Sequence, residues 1–565
     1  MRRLKLLFIF IAIVTFQIGA YNPQEIISFK SKIYDSMDKL YLVAGYGIPS
    51  NARPWSKSEA LIILNRIDPS LLTNHQRELY KEIKDEISTN NLLYNSDVFG
   101  ISIGADLNTE MYWHSNSAKF IVEDDWVYGF VKRKPLLRLR FDISLSDFAY
   151  IYSDLQYNRN IFNYKDEKIT KTAVGAIVDG RTGSGYYVTK SAIYSKEFFT
   201  NIMPFNESYD VDFETPKRAI LSVGGNHWKF TFGRDKVAWG NGKSGNFIID
   251  NHVDFHEFGR LKFFSDKFSY DWLNVFLPTR TYHGEDPDER LRFLMAHRLE
   301  FRPWKRLTVA FSENVMFYNE VFDIKYLNPA FIYHNLNNRS MFNAIAHVEL
   351  DFMILKGLNI YGQFVLDQAR APNEPATQAD ATGYLGGVEY VKEVGPGFLS
   401  TSLEFVLTSP ILYRRDEVDF LMFRPYFTHG NPSGPGYVLK FDYIGYKYGS
   451  DTLLLQWDLE YSMLSNLNFG LTVIGMRQGE VDLFYDNENI TSYQGSTPSG
   501  TEIKESLIIS LTGSYDKPKL FGSRFDLSVW SEFDWIGKRT FIKNTQMHED
   551  NRSDFQITVG MGLSF

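Results

Sequence analysis

Between Phe555 and Phe565 every second residue is apolar: Phe555, Ile557, Val559, Met561, Leu563 and Phe565 share one side, and Gln556, Thr558, Gly560, Gly562 and Ser564 the other. That length and two-sidedness suit a strand crossing a bilayer in a barrel, one face to lipid and one to the lumen. The pattern recurs. In 137–145 apolar residues alternate with Arg138, Arg140, Asp142 and Ser144, and in 453–463 Gln456, Asp458 and Glu460 stand opposite Leu455, Trp457, Leu459 and Tyr461. Segments 467–473, 507–515 and 525–535 alternate in the same way. A soluble sandwich would also alternate, so the faces alone leave two architectures open. The connections decide. Read backward from the C-terminus, 537–554 is a long polar connection, 516–523 short, 476–506 long and 464–466 very short. Short periplasmic turns alternating with long outer loops are the rule for outer-membrane barrels. At roughly 25 residues per strand and connection, residues 98–565 hold about 16 to 20 strands, an even number. Arg138, Arg140, Asp142, Asp458 and Glu460 are then expected to face the lumen, where enclosed water can solvate them.

Upstream of about residue 95 the period changes from two to 3.6. A helix is expected over 23–42, with Ile26, Phe29, Ile33, Met37 and Leu40 along one stripe and Gly45 and Gly47 ending it. A second is expected over 57–67, opened by Ser56 and Glu59 as a capping box, and a third after Thr73 and Gln76, with Leu79, Ile83 and Ile87 buried. Three such helices bury little alone and are expected to pack on the periplasmic end of the barrel. Arg2, Arg3 and Lys5 before the apolar run Leu6 to Phe16, with small residues to Ala20, have the layout of a secretory signal peptide. The expected division is therefore a signal peptide at 1–20, a periplasmic helical region at 21–95 and an outer-membrane barrel at 96–565. The fold class is an all-β transmembrane antiparallel barrel, in the outer membrane of a Gram-negative-type bacterium. Phe565, ending the last strand, resembles the signal read by the outer-membrane barrel assembly machinery.

Composition sharpens this. Aromatics are 16% of the chain, with 34 Tyr and 46 Phe, which suits interfacial girdles against outer-membrane lipids. The chain has no Cys, which excludes disulfides, thiolate metal sites and a lipid-bearing cysteine. Without the three signal cations, 57 Lys and Arg face 68 Asp and Glu, a net charge of −11 that makes nucleic acid an unsuitable partner.

The richest chemistry lies in 233–251. Gly242-Lys243-Ser244 echoes a phosphate loop, but Val237 stands where that loop needs its first glycine and no helical pattern follows. Trp239 beside Asn241, Lys243 and Asn246 combines an aromatic face with amide and ammonium donors, the chemistry of a sugar site. The structural alternative is a tightly turned loop folded into the lumen. His252 and His256 lack the Glu of a zinc-protease helix and fall between expected strands. Glu285, Asp286, Asp288 and Glu289 around Pro287 could hold calcium or form a solvated loop. A third cluster runs from Tyr326 through Asn328-Pro329 to His334 and Asn335, where His334 would meet a ligand or satisfy loop backbone. No nucleophile elbow is readable, and no enzyme or cofactor is expected.

The stretch Trp239-Gly240-Asn241-Gly242-Lys243-Ser244-Gly245-Asn246 running on to Asn251 resembles the Trp-Gly-Pro-Gly region of the capsule assembly Wzi family, with Asn241 where the family has Pro. Asn328-Pro329 to His334-Asn335 and 361–367 add to the resemblance. It implies an 18-stranded barrel with periplasmic helices, acting without catalysis as a lectin-like anchor for surface polysaccharide or lipopolysaccharide. Carried onto this chain, it suggests Arg234, Asp235, Lys236, Trp239, Asn241, Lys243, Asn246, Asn251, His334 and Asn335 as glycan-binding residues. The competing expectation is a porin-like channel for small polar solutes, with the glycine-rich loop narrowing the pore.

Overall fold

A computed structural model describes residues 21–89, 92–96, 98–120, 125–129, 131–159, 186–188, 197–202, 211–214, 216–277, 291–319, 324–330, 332–333, 341–369, 379–415, 418–428, 436–464, 466–483, 485, 490–520 and 524–565. The expected signal peptide, the acidic cluster at 285–289, and His334 and Asn335 lie outside them.

Eighteen strands close into an antiparallel barrel. In chain order these are β1 (Phe99–His114), β2 (Leu137–Leu145), β3 (Ala149–Arg159), β4 (Ala219–Gly224), β5 (Trp228–Asp235), β6 (His256–Phe264), β7 (Phe268–Leu277), β8 (Leu291–Trp304) and β9 (Leu307–Asn319). They continue as β10 (Met341–Leu355), β11 (Leu358–Gln368), β12 (Ala381–Val394), β13 (Gly397–Thr408), β14 (Thr452–Met463), β15 (Leu467–Gln478), β16 (Glu502–Lys517), β17 (Asp526–Ile542) and β18 (Met547–Ser564). The short strand Val211–Glu214 extends the pairing of β4 along β3. Closure comes from β18 on β1, Gln556 opposite His114 through Ser564 opposite Asp106. No helix among the described residues is long and apolar enough to cross a membrane. The chain crosses the outer membrane as strands.

Parity along each strand sorts the side chains. Phe141, Phe232, Leu299, Phe311, Phe405, Leu455, Phe533 and Phe555 are exposed on the outer face, as lipid contact requires. Their neighbours Arg260, Arg298, Glu300, Asp351, Glu404, Gln456 and Asp534 are buried inside. Connections at the end shared with Phe565 are tight, such as 305–306 between β8 and β9, and Asn466 takes a positive φ of 61° in the turn before β15. The connection expected at 537–554 is different. β17 and β18 run on to Ile542 and from Met547, with Lys538 paired to Arg552 and Thr540 to Glu549. Polar residues are no bar to a ladder that rises above the lipid, because both faces there are wet. Polarity alone therefore misplaced the strand ends.

The three helices are α1 (Ile33–Ala44), α2 (Lys57–Leu64) and α3 (Asn74–Ser88). α1 starts later than expected, because 22–32 is held by other means. Asn22 Nδ2 donates to the carbonyls of Ser146 and Ala149 at the β2–β3 turn, and Ile26 bridges Ser56. Gly45 ends α1 with φ 91°, and Thr73 with Gln76 forms a complete capping box. The box at Ser56 is only half made. Ser56 Oγ caps the Glu59 amide, while the Glu59 carboxylate turns into the barrel. Ile33, Met37, Leu40, Leu79, Ile83 and Ile87 pack with Met353, Val391 and Phe398 of the wall at the short-turn end. Glu393 at the end of β12 accepts from Thr73 Oγ1 at 2.8 Å and meets His75 at the same distance.

Candidate functional site

Two segments enter the lumen from opposite ends and meet there. From the short-turn end comes 48–56, leading to α2; from the long-loop end comes the 236–255 connection between β5 and β6. Ala52 pairs with Trp239 and Arg53 with Ala238 in a two-stranded ribbon. Gly240 N donates to the Asn51 carbonyl at 3.2 Å.

The wall holds the first segment through charge. Arg260 donates to the carbonyls of Ala52 and Pro54, and Lys262 to Ala52 at 2.9 Å. Glu59 bridges Lys229 at 2.8 Å and Lys262 at 2.5 Å, all three side chains being almost wholly buried. Burial pushes the Glu59 carboxyl up, but these two ammonium groups outweigh it and hold it below the ordinary glutamate range. Arg53 bonds Asp38 at 2.5 Å and lies 5.0 Å from the centre of the Tyr34 ring.

The glycine-rich loop is fixed by wall carboxylates and amides. Glu404 accepts from the amides of Lys243 and Ser244 and from Ser244 Oγ. Gln363 donates to Asn246 Oδ1 at 2.8 Å, and Asn241 Nδ2 bonds Asp351. A Cβ on Gly242 would sit 2.0 Å from the Gly245 carbonyl, so only glycine permits this turn. Burial opposes the Lys243 ammonium, yet Glu389 at 2.7 Å raises its pKa above that of a free lysine. Asp250 is raised by burial and lowered more by His252, 3.0 Å away, and by the Asn246 amide.

Beside this loop lies a cavity of about 1150 Å³. It extends from Phe29 and Lys30 of the N-terminal segment, past Gln456 and Thr472, to Arg539, Asp550 and Arg552 at the outer rim. Of the residues singled out from sequence, Lys236, Asn241, Lys243, Asn246 and Asn251 line it. Three others do not. Trp239 is wholly buried and belongs to one apolar cluster with Phe247, Leu385 and Tyr446, so its ring offers no face to a sugar. Asp235 is buried against Arg218 at 2.9 Å. Arg234 points to the outer face, where it pairs with Glu257 and packs on Phe255. The aromatics bordering the cavity are instead Phe29, Trp126, Tyr443 and Tyr448; Trp126 and Tyr443 are buried, and half-buried Tyr448 has the Lys447 ammonium 4.6 Å from its ring centre. The 409–451 connection supplies Tyr448, and Gly445-Tyr446-Lys447-Tyr448-Gly449 was the signal in the sequence.

The cluster from Tyr326 lies elsewhere. The Tyr333 ring stacks on His297 at 5.0 Å, and Trp272 Nε1 donates to Tyr333 Oη at 2.8 Å. Trp272 and His297 alternate with lumen residues Asp271 and Arg298, so this contact is on the outer wall. His256 is buried and accepts from Val237 N, and no metal-binding cluster occurs among the described residues. Arg138 and Arg140 reach Asp106, Asp142 accepts from Tyr150, Gln456 donates to Asp458, and Glu460 meets Lys39 of α1 at 2.9 Å.

Residues 148–520 match the capsule assembly protein Wzi family, well over half of the chain. The chain belongs to the Wzi capsule assembly family. Among solved structures it is similar to Wzi of Escherichia coli, described as an outer-membrane protein involved in group 1 capsule assembly and a carbohydrate-binding β-barrel. Identity is 12% and the TM-score 0.54, over 96% of this chain and 99% of that one. Similarity to OmpT of Vibrio cholerae (10% identity, TM-score 0.33, 84% and 100% covered) and to OpdK of Pseudomonas aeruginosa (7%, 0.37, 82% and 99%) is weaker. No curated protein matches in sequence. Within this Wzi-family barrel, the lumen is occupied by the chain's own segments from both sides.

Proposed function

We propose that this Wzi-family barrel binds surface polysaccharide, or lipopolysaccharide, in its lumen cavity and thereby assists capsule or exopolysaccharide assembly at the cell surface, in a binding and not a catalytic role. The observation that carries this reading is the cavity of about 1150 Å³ bounded by the glycine-rich loop, with amides, ammonium groups and the half-buried Tyr448 along its sides. Sugar rings need that mixture of flat apolar face and fixed hydrogen-bonding groups. The carbohydrate-binding description of the Escherichia coli relative supports it. A channel reading draws less support, since the ribbon at Ala52 and Trp239, tied to the wall by Arg260 and Lys262, occupies lumen space that a porin leaves to water. Phe565, whose carbonyl accepts from Arg140 at 2.9 Å, would engage the barrel assembly machinery, and the outer face would contact outer-membrane lipids.

Replacing Tyr448 or Lys243 by Ala is expected to reduce retention of surface polysaccharide on cells, with unchanged heat-modifiable migration of the barrel on gels. Full retention in both variants would remove the site assignment.

A further inference from the structure

The cations along the cavity divide into two groups. Arg53, Lys132, Lys243, Lys504, Lys538 and Arg539 each have a carboxylate at 2.5 to 3.1 Å. Arg552 has Asp550 at 3.6 Å. Lys30, Lys236 and Lys447 border the cavity with no carboxylate within ion-pair distance among the described residues, and the Lys447 ammonium lies instead 4.6 Å from the centre of the Tyr448 ring. Lys30 and Lys236 come from different segments, Lys30 from the N-terminal stretch before α1 and Lys236 from the start of the glycine-rich loop. Lys236 Nζ donates one hydrogen bond, to the Asn251 carbonyl at 2.9 Å, which aims the group and leaves its other protons available. Lys30 is exposed and borders the same cavity.

We infer, resting on the glycan-binding reading above, that the ligand is an acidic glycan whose carboxylate or phosphate is taken by Lys236 and Lys30. With most of the other cavity cations neutralised by carboxylates and Lys447 set against Tyr448, the two unpaired ammonium groups of Lys30 and Lys236 form a local positive excess that an anion would relieve. A neutral sugar would leave that excess standing. Burial lowers Lys236 to about 7, with the Lys30 ammonium the next largest cause; Lys217 adds to it, and Asp254 and Asp250 oppose. Lys30 falls to about 8 through burial first, then Arg138, Lys217 and Lys134, with Asp254 opposing. Each lysine thus feels the other. A bound anion favours the protonated form of both, so binding takes up protons near neutrality and weakens as pH rises from 6 to 9.

The test measures binding of the full-length purified barrel to four probes: oligogalacturonate, its methyl ester, a phosphate-bearing mannan and neutral maltohexaose. The expected result is binding of at least one charged probe about tenfold or more tighter than the uncharged ones, the size of a charge-assisted hydrogen bond. Which charged probe wins distinguishes carboxylate from phosphate. Lys30→Gln with Lys236→Gln removes the preference, while Lys30→Arg with Lys236→Arg keeps it; unchanged heat-modifiable migration checks that each variant is folded. Equal binding of oligogalacturonate, its ester and maltohexaose, insensitive to the Gln pair, would overturn the inference and leave glycan binding standing. Binding of none of the four would overturn both.

Discussion

Glu59 shows how one side chain joins two parts of the molecule. It opens α2 and neutralises Lys229 and Lys262 in the wall. Glu59→Gln leaves two buried ammonium groups without a counter-charge, which costs about 3–5 kcal/mol when a buried pair is broken. The expected readout is a lower temperature for loss of the compact gel band. The pH dependence follows from the sign of the shift. Glu59 is held below its ordinary 4.5, so its contribution is present above that value and lost as pH falls through its folded pKa. Thermal scans of the parent should therefore drop below about pH 4.5, and those of Glu59→Gln should drop less. Glu59 was legible in the sequence as a cap, and Ser56 does cap its amide. Its ion pairs were not, because Lys229 and Lys262 lie some 170 or more positions away and nothing local announces them. Trp239 is the reverse case. Its position in a polar, glycine-rich stretch suggested a ligand face, whereas the stretch folds inward and the indole becomes core.

At the level of elements, the glycine-rich loop depends on tight backbone approach. Gly242→Val forces side-chain atoms onto the Gly245 carbonyl and should displace Lys243 and Ser244 from Glu404. Polysaccharide retention should then fall as in Lys243→Ala, with barrel assembly intact; normal retention would mean that the loop tolerates a different turn. The β17–β18 hairpin offers an independent test. Its connection is confined to 543–546, so an epitope inserted there should leave the barrel folded and be labelled on intact cells, whereas insertion at Lys538, inside the ladder with Arg552, should impair assembly. Strand cores were legible here because lipid enforces strict alternation. Strand ends were not, since above the lipid that constraint lapses.

For the whole molecule, alternation and connection lengths sufficed to indicate a barrel of about this size, and the helical start was visible in capping boxes and apolar stripes. The filling of the lumen could not be read, because it rests on pairings such as Ala52 with Trp239 and Asn51 with Asp351 between distant segments. Arg260→Ala removes donors to the carbonyls of Ala52 and Pro54. In planar bilayers this variant is expected to conduct more, or to flicker more, than the parent protein. Identical traces would show that the remaining contacts hold the segment alone.

The ribbon at Ala52 and Trp239 also fixes how the molecule bears load. A polymer tethered at the glycine-rich loop and dragged by shear outside the cell pulls on a segment bonded to Glu404, Gln363 and Asp351, and through Trp239 to the N-terminal stretch. That stretch is tied by Lys229, Arg260 and Lys262 to the wall, and by the helices to the short-turn rim. Tension entering at one hairpin is therefore shared around the circumference, as a bolt passed through a pipe spreads strain that a surface rivet would concentrate.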